Sequence, residues 1–537
     1  MTNAASRYAA LSGKRDTYLM RARRCAELTI PHLFPPQGSN ESTSFETPWQ
    51  SLGARGVNNL ASKLLLSLFP VNATFARMQL GDAELEELAA AQGQQGGDAI
   101  STVVATGLMK IENRLKRWME AKAIRPIMDP VFKHLIVGGN TALQVDAVFG
   151  ARMYSLEKYV VRRDPTGFVT EAIIKEGVDD DTMPKAVRAM HEAKEGAPVE
   201  STEKKGGVHQ SNCFLYTVIE WDEDTSKYNI HQEYEGAIVP GTQGTYPKDK
   251  IPFLFLRWSF VDGEDYGRSY IEQYFGDLKS LEALSKSVTL ASKVTGKAVV
   301  MVRPGGVTNP RTLAKAETGD VVVGSMEDVG MLQFDKWADL KASMQMISNL
   351  EQRLAFAFLL NSAIQRNGER VTAEEIRYMA GELDDALGGT YAQFSQHLQL
   401  PFAHAVLAEL QKPKAKEFKL PALPPGINPV VVTGMEALGR GHDLQKLDTF
   451  IGGLAQMLGP QALQYLNVGE YLNRRALALD LDITNLVKPE EQMQAEAQQA
   501  QQMEMINRLG PQAISQVGGI AKQGMTQEDQ QGTPPNG

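Results

Sequence analysis

Enzymatic chemistry needs nucleophiles, bases, metal ligands or phosphate-binding loops at set spacings, and this chain offers none of them. Gly13-Lys14 and Gly296-Lys297 both lack the upstream glycine and the following Ser or Thr of a phosphate loop. His191-Glu192 has no second histidine at the distance a zinc-binding helix requires, and the other histidines are scattered. Neither a GxSxG elbow nor a CxxC pair occurs. Asp179, Asp180 and Asp181 form an acidic run without partner-ligand spacing, so it reads as solvated rather than as a metal site. Carboxylates abound, but no spacing marks a two-carboxylate nuclease. Cys25 and Cys213 are far apart and read as thiols in a reducing cytoplasm.

One polar stretch stands out by its position. Residues 361–371 hold Asn361, Gln365, Arg366, Asn367, Glu369 and Arg370, with Asn367-Gly368 as a turn signal, between two apolar-striped helices. In the helix before it, Trp337, Leu340, Met344, Ile347, Leu350, Leu354 and Phe358 recur at threes and fours. The helix after it opens on a capping box, Thr372 with Glu375. Its stripe is Ile376, Met379, Leu383 and Leu387; Gly388-Gly389 then permits a bend, and Tyr391, Phe394 and Leu398 carry the helix on to Pro401.

The rest of the chain must position these helices. At 537 residues it can bury a large core in two to four units. It has no apolar run of 18 residues and no secretory signal at its start. Its formal charge of −9 is unlike that of a protein that grips DNA through its average field. Residues 1–30 read as a helix whose Arg15, Arg21, Arg23 and Arg24 form a solvated or interface face. Residues 51–69 and 102–122 read as helices, and 89–98 as a flexible insertion. From about Asp129 short β-rich runs and turns predict a mostly antiparallel sheet, broken by a charged helix or loop at 178–210. A helix from Asp265 to Val294 ends in Lys286, Lys293 and Lys297, where cations suit the helix dipole. A strand-and-turn unit to about Phe334 separates it from the 335–360 helix, which predicts an antiparallel pair with a compact tip. Residues 412–429 read as a Lys- and Pro-rich linker, 435–487 as helical, and the Gln-rich end as partly disordered.

Several long strings then carry a resemblance: GEDYGRSYIEQYFGDLKSLE at 263–282, AKAETGDVVVG at 314–324, GERVTAEEIR at 368–377, LGGTYAQFSQHLQLP at 387–401 and GMEALGRGHDL at 434–444. Together the chain resembles the portal, or head-to-tail connector, proteins of short-tailed podoviruses of autographivirus type. The resemblance implies an α+β, mainly α fold with wing, stem, clip and crown, assembled as a ring. It divides the chain into a helical part of the wing at 1–128, a β-rich wing at 129–262 and a first stem helix at 263–294. The clip follows at 295–334, the second stem helix at 335–360, the tunnel loop at 361–371 and the wing spine helix at 372–411. A linker at 412–429 then leads to a helical crown at 430–488 and a tail at 489–537. Asn361, Gln365, Arg366, Asn367, Glu369 and Arg370 would face DNA, with Lys286 and Lys293 as channel-side stem candidates.

The implied role is a channel at one capsid vertex for packaging and ejecting DNA, without a cofactor or a catalytic site. The residues alone read as a mixed α and β, oligomeric chain without evident catalysis; the alternative function beside the channel is an enzyme of phage DNA packaging or processing, a motor ATPase or a nuclease. The implied partners are further copies of the chain (a homododecamer), major capsid and scaffolding proteins, and the terminase large subunit. Tail adaptor and tubular proteins, internal core proteins and non-specifically contacted double-stranded DNA complete the set, and no membrane is involved. The implied location is the virion, after assembly in the host cytoplasm.

Overall fold

A computed structural model describes residues 3–40, 42–70, 75–79, 97–179, 183–195, 213–295, 299–317, 320–332, 337–360, 381, 389–420, 430–433, 448–454, 456–457, 459, 471 and 475. The chain is mainly helical with several small sheets. Residues 1–438 form one compact unit and 439–537 another.

The centre of the first unit is a helix that the sequence hides. It follows α1 (Ala4–Glu27), α2 (Leu52–Leu68) and α3 (Gly97–Ala121), and runs as α4 over Ile124–Gly138. Met128, Val131, Phe132, Leu135, Ile136 and Val137 are fully buried in it. The expected change to β-texture at Asp129 therefore falls inside a helix. The helix carries Pro126 and Pro130, but Pro126 lies in the first turn, where no intrahelical donor is lost. Burial around Phe132 outweighs the one bond that Pro130 forfeits. Gly139 ends α4 in the left-handed region at φ 72°, where a Cβ would meet the backbone of Arg268 at 2.6 Å.

The strands that follow are antiparallel and form two separate sheets rather than one. In the first, β2 (Asn140–Asp146) pairs with β3 (Gly150–Ser155) and with β10 (Phe253–Arg257). The second runs β4 (Tyr159–Arg163), β5 (Val169–Val178), β6 (Cys213–Asp222), β7 (Lys227–Tyr234) and β8 (Ala237–Ile238), with β9 (Gly244–Pro247) also on β7. Within the 178–210 interruption, α5 spans Lys185–Glu195.

The arginines of α1, expected as a solvated or interface face, are solvated only in part: Arg24 is exposed, whereas Arg21 and Arg23 are half-buried. Arg15 is 8% exposed and donates to the Tyr8 hydroxyl and the Glu157 carbonyl, both at 2.7 Å. Arg23 pairs with Glu157 at 2.9 Å, while Arg21 and Arg24 lie over the rings of Tyr18 and Phe275. Long side chains can bury their stems and spend their charge inside one subunit.

Beyond residue 389 the helix resumes over Thr390–Phe394, after Gly389 at φ 82°. A π turn, Ser395–Gln399, then leads through Pro401 into α8 (Leu400–Gln411). The helix thus passes Pro401 instead of ending there, with the wider turn placed next to the missing donor. Phe394 and Phe402 carry this element into the core, against Phe132 and Trp258 and against Phe69 and Phe75. The expected linker is packed over 412–420: Ala415 and Leu420 are buried, and Lys412 and Lys414 both pair with the buried carboxylate of Glu409. Two ammonium groups neutralising one buried anion make this lysine-rich stretch a lock. Residues 430–433 are a strand, β13, on β1 (Ala76–Gln79), not the start of a helical domain. In the second unit, described helical residues include 448–454, and Tyr471 donates to Asp448 at 2.8 Å.

Candidate functional site: a paired-helix arm and its anchor

Lys286 and Lys293 sit on a helix pair. Its first member, α6 (Tyr270–Thr295), begins later than the expected 263 or 265. Residues 263–269 are held instead against β2 and β10. The Asn140 side chain accepts from the Gly267 amide at 2.7 Å and donates to the Gly267 carbonyl at 2.8 Å. A Cβ on Gly267 would lie 2.8 Å from Arg257 Cβ and from the Ser259 carbonyl, so only glycine allows this approach. Ser269 then caps the helix reciprocally: its hydroxyl accepts from Glu272 N at 3.1 Å, and Glu272 accepts from Ser269 N at 3.5 Å.

The second member, α7 (Trp337–Ala357), is shorter than the expected 335–360 and packs on α6. A short antiparallel pair, β11 (Val299–Val302) with β12 (Val329–Leu332), closes the far end. The α7 stripe is only half covered. Leu350, Leu354 and Phe358 are buried, whereas Met344 is 52% exposed; off the stripe, Phe356 is 76% exposed. At the tip, Val321 and Met326 are each 96% exposed. Polar bonds order the tip in place of a core, since the Asp328 carboxylate accepts from Val307 N at 2.8 Å and Thr308 N at 3.2 Å.

The inner end of the arm is fixed from α2. Phe358 is wholly buried against Gly56, where a Cβ would stand 2.4 Å from its ring. The Tyr270 hydroxyl donates to the Ala357 carbonyl at 2.8 Å, and Arg353 pairs with Asp277 at 2.7 Å. Leu359 turns the chain at φ 53°, an uncommon conformation for a branched residue. The carbonyls freed there are taken up by two side chains of α2. Asn59 donates to Phe358 O at 2.9 Å and Leu359 O at 3.1 Å, and Lys63 donates to Leu359 O at 3.1 Å. Lys63 is 5% exposed, so its ammonium lies on the negative end of α7 in a low dielectric, where that interaction is strong.

Asn361, Gln365, Arg366, Asn367, Glu369 and Arg370 lie outside the described residues, as does Thr372. The anchor delivers the chain to residue 360, just before them. Lys286 is exposed on α6 and makes no ion pair among the described residues. Lys293 is exposed too, with its ammonium 5.6 Å from the centre of the Trp49 ring. Sequence reasoning missed Asn59 and Lys63. Their signal was a lysine inside the apolar stripe Val57, Leu60, Leu64, Leu68, which a surface helix has no reason to carry. Among the described residues no group of three or more His, Cys, Asp or Glu is placed to hold a metal ion, and no helix is long and apolar enough to cross a membrane.

Residues 1–486 match the family model described as bacteriophage head to tail connecting protein. The chain is 40% identical over 527 residues to the portal protein of Escherichia phage T7, covering 97% of this chain and 94% of that one. It is 39% identical to the portal protein of Enterobacteria phage T3, covering 91% and 88%, and 31% identical to that of Enterobacteria phage SP6, covering 94% of each.

Proposed function

The chain belongs to the bacteriophage head to tail connecting proteins, and from that premise we propose how its paired-helix arm serves as the wall of a DNA channel. Its function is that of a portal protein, a virion component of the capsid vertex, and not that of an enzyme. Copies associate in a ring that joins head and tail.

The finer reading concerns which parts of the chain do this. The observation that carries it is the uncovered apolar surface of the arm. Phe356, Val321, Val323 and Met326 are between 76% and 96% exposed in the single chain. Burying them against the next copy stabilises a closed ring, at about 25 cal/mol per Å² removed from water. With the arms side by side, α6 and α7 form the stem, the β11–β12 tip the clip, and residues 361–371 the tunnel loop. Arg366 and Arg370 contact passing phosphates without reading sequence, and Lys286 and Lys293 lie toward the channel. The ring is a dodecamer. Twelve copies at −9 each carry −108 formal charges, so the wall as a whole repels DNA while the loop touches it. The outward partners are the major capsid and scaffolding proteins, the internal core proteins, the terminase large subunit during packaging and the tail adaptor and tubular proteins afterwards. Assembly takes place in the host cytoplasm.

The test is light scattering on the full chain beside Phe356→Glu and Val321→Glu. A ring-sized wild type, with variants that keep the wild-type circular dichroism but lose mass, supports the reading. Variants that assemble like the wild type refute the arm as the ring contact.

A further inference from the structure

We propose that a cavity of the wing, beside Arg257, receives a single carboxylate carried on an apolar segment of a neighbouring copy. The proposal rests on the ring reading above. The cavity holds about 480 Å³ between the β4–β5 turn, β10 and the π turn at 395–399.

Its floor is positively charged and under-neutralised. Arg257 is 9% exposed, donates once, to Glu264 O at 3.1 Å, and lies under the Phe260 ring at 4.3 Å. It makes no ion pair among the described residues. Next to it Arg163 spends all its described bonds on backbone carbonyls, those of Asp265 at 2.9 Å, Gly167 at 2.8 Å and Phe255 at 2.8 Å. Both guanidinium pKa values are pushed down by burial, and Arg163 further by the Arg257 charge, to about 10. Both therefore stay charged at neutral pH. Among the described residues the carboxylate whose charge acts on both is Asp265, which accepts from the Arg163 amide at 2.7 Å and pairs with Lys14 at 3.1 Å. Two enclosed cations thus share an anion with a third. An incoming anion would relieve that imbalance, and a guanidinium edge suits an oxyanion in particular.

The rim selects the source. Asp164 and Glu264 line the mouth, with their charges tied to Thr166 and Phe168 N and to Arg268 respectively, and Asp262 is exposed beside them. Three carboxylates repel a polyanion such as duplex DNA far more than a single carboxylate, because the repulsion grows with the charge of the incoming group. Phe260 and Val261 at the same mouth are 41% and 40% exposed, a collar that a free ion would leave wet and an apolar neighbour would cover. His397, packed on Phe260 at 4.8 Å, is kept neutral by burial and by the two arginines, so it adds a polar wall without charge. A carboxylate beside an apolar side chain fits all three conditions, and the partner present at every ring position is the next copy.

Single-particle imaging of the assembled wild-type ring tests this. The expected result is a carboxylate of the neighbouring copy within hydrogen-bond distance of the Arg257 guanidinium. An empty cavity, a free ion, a carboxylate of the same chain or a DNA phosphate there overturns it. In solution, Arg257→Gln should raise the concentration for half-assembly by about tenfold, equivalent to about 1.4 kcal/mol, with Arg257→Lys intermediate. Unchanged assembly of a folded Arg257→Gln, or salt-dependent DNA binding lost without an assembly change, also overturns it. A wild type that stays monomeric defeats the ring reading itself, whereas a ring with an empty cavity defeats only this proposal.

Discussion

The inner end of the arm depends on a few polar atoms. Asn59→Ala would leave two carbonyls of a helix end with one donor fewer, a loss of about 1–3 kcal/mol. Thermal melting of the isolated chain should fall by several degrees, and a melt equal to wild type would show that water replaces the amide. His134 sets the acid limit in the same way. It is 5% exposed on α4, packs on the edge of Phe34, and its pKa is lowered to about 4 by burial and then by His32. The unfolded chain takes up this proton near pH 6.5 and the folded one only near 4. The stability is therefore present in full above about pH 6.5 and is lost as pH falls through that window, by on the order of 3 kcal/mol. His134→Phe should flatten the decline between pH 6.5 and 4 in urea titrations; an unchanged slope would assign the acid sensitivity elsewhere. Neither residue's role was legible in the sequence. A lone histidine or asparagine acquires meaning only from what a distant segment, 299 residues away in the case of Asn59 and Phe358, brings against it.

At the scale of elements, periodicity worked where one face is buried and one is wet. The helix pair, its strand-and-turn tip and the antiparallel strands could be read for that reason. It failed for α4, whose second half from Val131 to Gly138 is buried except at Lys133 and so shows little contrast, and which carries two prolines besides. It failed again at 412–420, where lysines signalled solvent but neutralise Glu409 and Asp146. The stripe of α7 was legible, and Met344 belongs to its uncovered part. One element-scale prediction concerns the helix expected after residue 371. Thr372→Ala should cost about 1 kcal/mol through the lost cap. Calorimetry showing no change would mean that Thr372 does not cap it.

The whole molecule poses the question of how an acidic chain handles DNA. A channel wall that bound phosphates along its length would stall the genome, whereas repulsion by most of the wall with brief contact at one loop would not. Arg366→Ala with Arg370→Ala in an otherwise complete phage should leave rings and heads intact while packaging or retention of the genome falls. Heads that fill and hold DNA normally would remove the arginines from that role, and absent rings would make them structural. Fold and family were legible because long strings such as those at 263–282 and 387–401 recur in order. The residues facing the channel were not, because facing is a property of the ring. Class averages of the purified full chain by electron microscopy test the account most directly. Closed rings with a central channel and twelve-fold averages are expected; particles of single-chain size at micromolar concentration would contradict the ring.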